Sequence, residues 1–133
     1  MSCAGDGTVI FDTDVLIWAQ RGHTGAADLV RATEELHIAV QSYMELLQRV
    51  RDRAEQQKVR RFLQDFEFTV LPLSENIGHR ACVYVETYAL SHGLRAGDAL
   101  IAATAAENQL PLVSGNRRHF ECLQEIDLRV FVP

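Results

Sequence analysis

Hydrophobic residues occur along this chain in two rhythms. Short runs rich in hydrophobic residues, Val9-Ile10-Phe11, Leu36 to Val40 around His37, Leu110 to Val113 with Pro111 near its start, and Leu128 to Val132 around Arg129, have the length and β-branched or aromatic character of strands. Phe66 to Leu71 reads as a further strand stopped by Pro72. Between them, apolar residues recur every third or fourth position. Tyr43, Leu46, Leu47 and Val50 mark a helix over 42–53; Val59, Phe62 and Leu63 mark another over 55–65. Ile77, Ala81, Tyr84, Val85 and Tyr88 mark a long helix that Ser74 caps and His92-Gly93 breaks. Short helices are expected over 15–18 and 26–35. Asp98 opens an alanine-rich one, Ala99 to Asn108, narrow enough to lie close against a sheet. Residues 1–7 read as a loose lead.

Strands alternating with helices, without an internal repeat, predict a three-layer α/β/α fold with a mostly parallel central sheet. At 133 residues the expectation is a single domain, 1–133. Strand order does not follow from the pattern. Thirteen basic against eighteen acidic side chains give a net charge of -5, which argues against binding nucleic acid through bulk positive charge. Three scattered cysteines, Cys3, Cys82 and Cys122, suggest neither a disulfide scaffold nor a zinc site. No apolar run approaches the roughly 18 residues of a membrane span, and no signal-peptide pattern opens the chain. A reduced, cytoplasmic protein without membrane association is the expectation.

In open α/β sheets, ligands bind beyond the carboxyl ends of the strands. In this sequence those places are acidic. Asp12 ends the first strand, Glu45 lies in the first turn of the helix after the second, and Asp98 begins a helix that returns toward the amino end of the Leu110 strand. Although 33 and 53 residues apart in sequence, the three acids can converge on one edge. Three carboxylates in one crevice repel unless protons or a cation neutralise them, and Mg2+ or Mn2+ prefers such oxygen ligands. Each acid also has a structural explanation. Ser42-x-x-Glu45 matches a capping box, and Asp14 and Asp98 sit where negative charge favours a helix start. Asn116 can offer an amide oxygen to a metal-bound water, Ser114 can donate to Asp12 or that water, and both are ordinary turn residues. His119 is either a phosphate contact or proton carrier, or a surface residue. Trp18 is expected in the core.

Six basic residues, Arg49, Arg51, Arg53, Lys58, Arg60 and Arg61, fall within thirteen positions just after Glu45. They suit a nucleic-acid backbone held beside the acids, with Arg117 and Arg118 as a second contact; the structural alternative is a solvated helix with pairs such as Arg51 with Glu55. Phosphoaspartyl enzymes and response receivers normally need a lysine late in the chain, whereas the one lysine here is Lys58. No GxxxxGK[ST], GxGxxG or GxSxG motif occurs.

These motifs together resemble the PIN-domain ribonucleases, and most closely the VapC-type toxins of toxin–antitoxin pairs. Val9 to Ile17 resembles the first acidic motif, with Asp12 in the metal-binding place and Thr13 as the hydroxyl beside it. Ser42 to Leu47 resembles the second, with Glu45 as its acid, and Leu94 to Ala103 the third, with Asp98. The fourth element, Leu112 to Phe120, departs from the pattern. Relatives often place an aspartate at the position of Asn116 or His119, and neither is acidic here.

The resemblance implies Mg2+- or Mn2+-dependent endonucleolytic cleavage of RNA, with Asp12, Glu45 and Asp98 as metal ligands and Asn116 completing the catalytic set. Thr13, Ser114, Arg49, Arg51, Arg53 and Arg117 are then candidate substrate contacts. It also implies a homodimer inhibited by a small cognate antitoxin. The missing fourth acid raises an alternative, a catalytically weakened PIN-like module that mainly binds an antitoxin or RNA. A DNA-directed nuclease shares the same metal chemistry.

Overall fold

The computed structural model describes residues 7–133; the expected lead and Cys3 lie largely outside this range. Five strands, β1 (Thr8–Phe11), β2 (Glu35–Ala39), β3 (Thr69–Leu71), β4 (Leu112–Ser114) and β5 (Leu128–Val130), form one sheet in the order β3-β2-β1-β4-β5. Every pairing is parallel, beyond the mostly parallel sheet expected. Parallel neighbours require crossover connections, and the helices between strands supply them.

Strand side chains alternate between two cores. Val9 and Phe11 of β1 join Leu36, Ile38 and Val113 on one face, under α1 (Thr13–Gln20), α2 (Thr24–Ala32), α3 (Val40–Arg49) and α4 (Arg53–Asp65). Ile10 and Leu112 point to the other, under α5 (Glu75–His92), α6 (Ala96–Glu107) and α7 (Arg117–Phe120). Burial on both faces explains why β1 and β4 carry apolar residues in succession, Val9-Ile10-Phe11 and Leu112-Val113, instead of alternating ones. The three layers are those the sequence pattern predicts, with the sheet wholly parallel. Ala99, Ala102, Ala103 and Ala105 of α6 are fully buried, so the small residues bring this helix tightly onto its neighbours.

Several boundaries differ from the sequence pattern. Helix α3 begins at Val40, two residues before Ser42, so the capping box does not form; Ala39 is its N-cap, without a side-chain bond, and the fully buried Ser42 hydroxyl has no partner. The expected helix over 42–53 stops at Arg49. Asp52 then accepts from the Glu55 amide and starts α4 afresh. Phe66 and Glu67 belong to a turn, with Glu67 at φ 56°, which shortens β3 to three residues. Ser74 caps α5 as expected, and Gly93, at φ 67°, ends it in the left-handed conformation that glycine adopts without strain. No helix among the described residues is long and apolar enough to cross a membrane.

Candidate active site

The strand order reverses direction at β1, with β2 on one side and β4 on the other, and this is the place where open α/β sheets bind ligands. Beyond the carboxyl ends of β1 and β4 lies an open hollow of about 340 Å³ lined by Asp12, Thr13, Asp14, Glu45, Asp98, Asn116 and His119. Ile17, Gln48 and Arg49 complete its wall. The four residues assigned from sequence as the catalytic set therefore border one cavity.

Each acid reaches the hollow by a different local device. Asp12 is the first residue after β1 and the N-cap of α1; it is 4 % exposed. Its Oδ1 accepts from the Thr13 amide at 2.7 Å and its Oδ2 from the Ser114 hydroxyl at 2.7 Å. Burial, then the neighbouring charges of Asp14 and Asp98, raise its pKa to about 7, and the two hydrogen bonds offset only part of that rise. Glu45 stands on the second turn of α3. The Thr13 hydroxyl donates to its Oε1 at 2.6 Å and the Gln41 amide to its Oε2 at 2.9 Å. Asp98 lies in the first turn of α6, with Oδ2 3.2 Å from His119 Nδ1. Burial, with the Glu45 charge adding to it, raises the Asp98 pKa, and His119 opposes that rise. Asp14, also raised by burial, accepts from the amides of Val15 and Gly115.

The oxygen donors and the raised carboxyl pKa values suit a hard divalent cation, since they mark negative charge that the protein leaves only partly compensated. As the side chains stand, among the described residues, no three or more His, Cys, Asp and Glu side chains are gathered into an ion-holding group. The oxygens of the candidate ligands are instead engaged by Thr13, Ser114, Gln41 and His119.

The remaining candidates divide by position. Thr13 lines the hollow but spends its hydroxyl on Glu45. Ser114 is fully buried behind Asp12, donating to it and accepting from the Asn116 amide, so it supports the acid instead of facing substrate. Arg49 lines the hollow and also an adjoining groove with Ile17, Arg21, Leu46, Val50, Arg51, Lys58 and Val59. Arg51 lies in that groove but pairs with Glu55 at 2.7 Å, the alternative weighed from sequence. Arg53 opens α4, Arg117 pairs with Glu121 at 3.4 Å, and neither lines the hollow.

Three supporting residues escaped the sequence reading. Gln41 precedes Glu45 by one helical turn, a spacing that puts both on one face. Gly97 lies against that pair: a Cβ there would come 2.9 Å from Glu45 Oε2 and 3.1 Å from Gln41 Nε2. A glycine inside a helical first turn, beside an acid, was the available signal. At Gly115, a Cβ would stand 2.6 Å from the Trp18 ring and 3.0 Å from Asp14 Oδ2, so only glycine fits the turn that presents Asn116.

Comparison with known proteins places this geometry in context. The sequence pattern of the PIN domain matches residues 9–124. The chain is 38% identical over 129 residues to "Ribonuclease VapC10" of Mycobacterium tuberculosis, spanning 94% of this chain and 95% of that one. Its fold is similar to a toxin–antitoxin complex from Klebsiella pneumoniae (TM-score 0.76, 24% identity, 90% of this chain and 95% of that one). It is also similar to VapBC2 from Rickettsia felis bound to a DNA fragment from their promoter (TM-score 0.76, 18% identity, 94% and 99%). At these identities the two structures speak for the fold.

Proposed function

The chain belongs to the PIN-domain family and is closely related to VapC-type toxins of type II toxin–antitoxin systems; on that premise we propose that it is a Mg2+- or Mn2+-dependent endoribonuclease acting as such a toxin. The observation that carries this reading is the single hollow bordered by Asp12, Glu45, Asp98 and Asn116 at the β1–β4 switch point. Asp12, Glu45 and Asp98 would hold the cation. When bound, it supplies orientation and a lowered pKa for an attacking water, together with charge stabilisation at the phosphate oxygens.

The protein's own residues prepare the site. Ser114 and the Thr13 amide hold the Asp12 carboxylate at a set orientation in a buried place, where electrostatic effects on a phosphodiester are stronger than in water. Thr13 ties Glu45 to the same turn. Asn116 offers a neutral amide to water or substrate, and Arg49, on the rim, offers charge to the RNA backbone. RNA as substrate, a cognate antitoxin as inhibitor, a homodimeric assembly and a cytoplasmic location belong to this proposal, supported by the kinship with the VapC relative.

A second reading is a catalytically weakened PIN-like module that mainly binds an antitoxin or RNA. Its support is specific: the acids are not gathered into an ion-binding group, their oxygens already have protein partners, and Asn116 and His119 bring no fourth carboxylate. As the hollow stands, this reading has the more direct geometric support. Incubating total cellular RNA with the protein and Mg2+ or Mn2+, beside Asp98→Asn and with chelator, separates the two. Cation-dependent cutting by wild type, lost in Asp98→Asn, establishes the ribonuclease; RNA or antitoxin binding without cutting establishes the weakened module. A single-stranded DNA arm tests the deoxy substrate.

A further inference from the structure

We propose that Gln41 is a positioning residue for Glu45, and that Gly97 is glycine so that the Gln41–Glu45 pair can lie against the start of α6; the inference rests on the ribonuclease reading for its catalytic meaning. Glu45 has two carboxylate oxygens, and each has one donor. Thr13, the neighbour of Asp12, takes Oε1, and Gln41 takes Oε2. Gly97, the neighbour of Asp98, presents bare backbone to both Gln41 and Glu45. The second acid is thereby located relative to the first through Thr13, and relative to the third through Gln41 and Gly97.

The chemistry of the donor matters. An amide N–H orients a carboxylate without neutralising it, whereas a lysine or arginine at position 41 would cancel the charge that a cation needs. A free glutamate side chain samples several rotamers, and fixing one removes an entropic cost that ligand binding would otherwise bear. Partners that orient a metal-binding side chain commonly affect affinity or activity by about 10- to 100-fold. A Cβ at position 97 would stand 2.9 Å from Glu45 Oε2 and 3.1 Å from Gln41 Nε2, so the ends of these side chains would have to shift from the arrangement seen. The two requirements act on one carboxylate, so their effects should not add.

The test compares Gln41→Met, of similar length but without the donor, with Gly97→Ala and the double variant. Three readouts are taken: side-chain 13C relaxation of Glu45, Mn2+ affinity by electron paramagnetic resonance, and kcat and KM on RNA. Gln41→Met is expected to increase Glu45 mobility, weaken Mn2+ binding about 10-fold and lower kcat with little change in KM, at an unchanged melting temperature. The double variant should lose no more Mn2+ affinity than the worse single. Unchanged Glu45 relaxation in Gln41→Met overturns the proposal, as does unchanged Mn2+ affinity where wild type binds and cuts. If wild type neither binds Mn2+ nor cuts RNA, the ribonuclease reading fails, while a Glu45 freed only in Gln41→Met still establishes the positioning contact.

Discussion

The Ser114 hydroxyl donates to Asp12 Oδ2 at 2.7 Å, joining the carboxyl ends of β4 and β1 across 102 positions of sequence. Both side chains are buried, and the bond opposes the rise in the Asp12 pKa that burial causes. Ser114→Ala leaves a buried carboxylate oxygen without its donor and is expected to destabilise the fold at pH 8 by about 1–3 kcal/mol, measured by urea unfolding. Unchanged stability would mean that Asp12 is not held from behind.

The same carboxyl makes stability depend on pH. Its pKa is about 7 folded, against roughly 3.9 for an unperturbed aspartate. A group that binds its proton more tightly when folded stabilises fully below the unfolded value, and that contribution is lost as pH rises from about 4 toward 7. Asp12→Asn should therefore be more stable than wild type at pH 8, on the order of a few kcal/mol, with the gap narrowing toward pH 5. Thermal melts of both proteins across this range in chelator provide the check. Adding Mn2+ at pH 8 should raise the wild-type melting temperature and leave that of Asp12→Asn nearly unchanged.

Gly115 has the Trp18 ring against it, 2.6 Å from where a Cβ would stand. Gly115→Ala should cost about 1–3 kcal/mol through overpacking, and Trp18→Leu in the same chain should recover part of the loss. Simple additivity in denaturant unfolding would contradict the contact.

Arg49 is the basic side chain that borders the acid hollow, and Arg53 is not. Arg49→Ala is expected to raise KM for RNA several-fold and to flatten the salt dependence of binding, because one phosphate contact is removed. Arg53→Ala should leave both nearly unchanged. Fluorescence anisotropy with labelled RNA at two salt concentrations distinguishes them.

On the far side of the second core, Arg80 of α5 donates to Glu107 of α6 at 2.5 Å and to Glu125 at 2.7 Å, and the Tyr84 hydroxyl also donates to Glu125. The Tyr84 hydrogen bond, and then the bond and charge of Arg80, hold the Glu125 carboxyl below its usual pKa. Its stabilising contribution is present above the unfolded value and fades as pH falls through the lower folded one. Arg80→Met is expected to cost about 1 kcal/mol, since the pairs are partly solvated, and the cost should shrink in high salt.

Much of this molecule is readable along the chain because its signals are local. An apolar run such as Val9-Ile10-Phe11 reports a strand buried on both faces, an acid directly after it reports a strand end, and Ser74 and Gly93 bracket α5 through cap chemistry with neighbours a few residues away. Where two local signals compete, the pattern misleads. Ser42 and Glu45 match a capping box, yet burial of Ser42 and the tie from Thr13 to Glu45 accompany a helix that begins earlier. Likewise Arg49 to Arg53 continues a helical rhythm, but Asp52 is a better cap than a helix interior residue and divides it.

Local patterns along the chain were therefore enough for the layered α/β architecture, the order of the acidic motifs and the resemblance to the PIN-domain ribonucleases. The strand order, the donor that each carboxylate receives, the two glycines that make room, and the arginine that meets the hollow emerge only when the whole chain packs. The division follows from range: periodicity and capping are set within a few residues, whereas the partners of Asp12 and Glu45 come from strands and helices whose adjacency is the outcome of packing the whole chain.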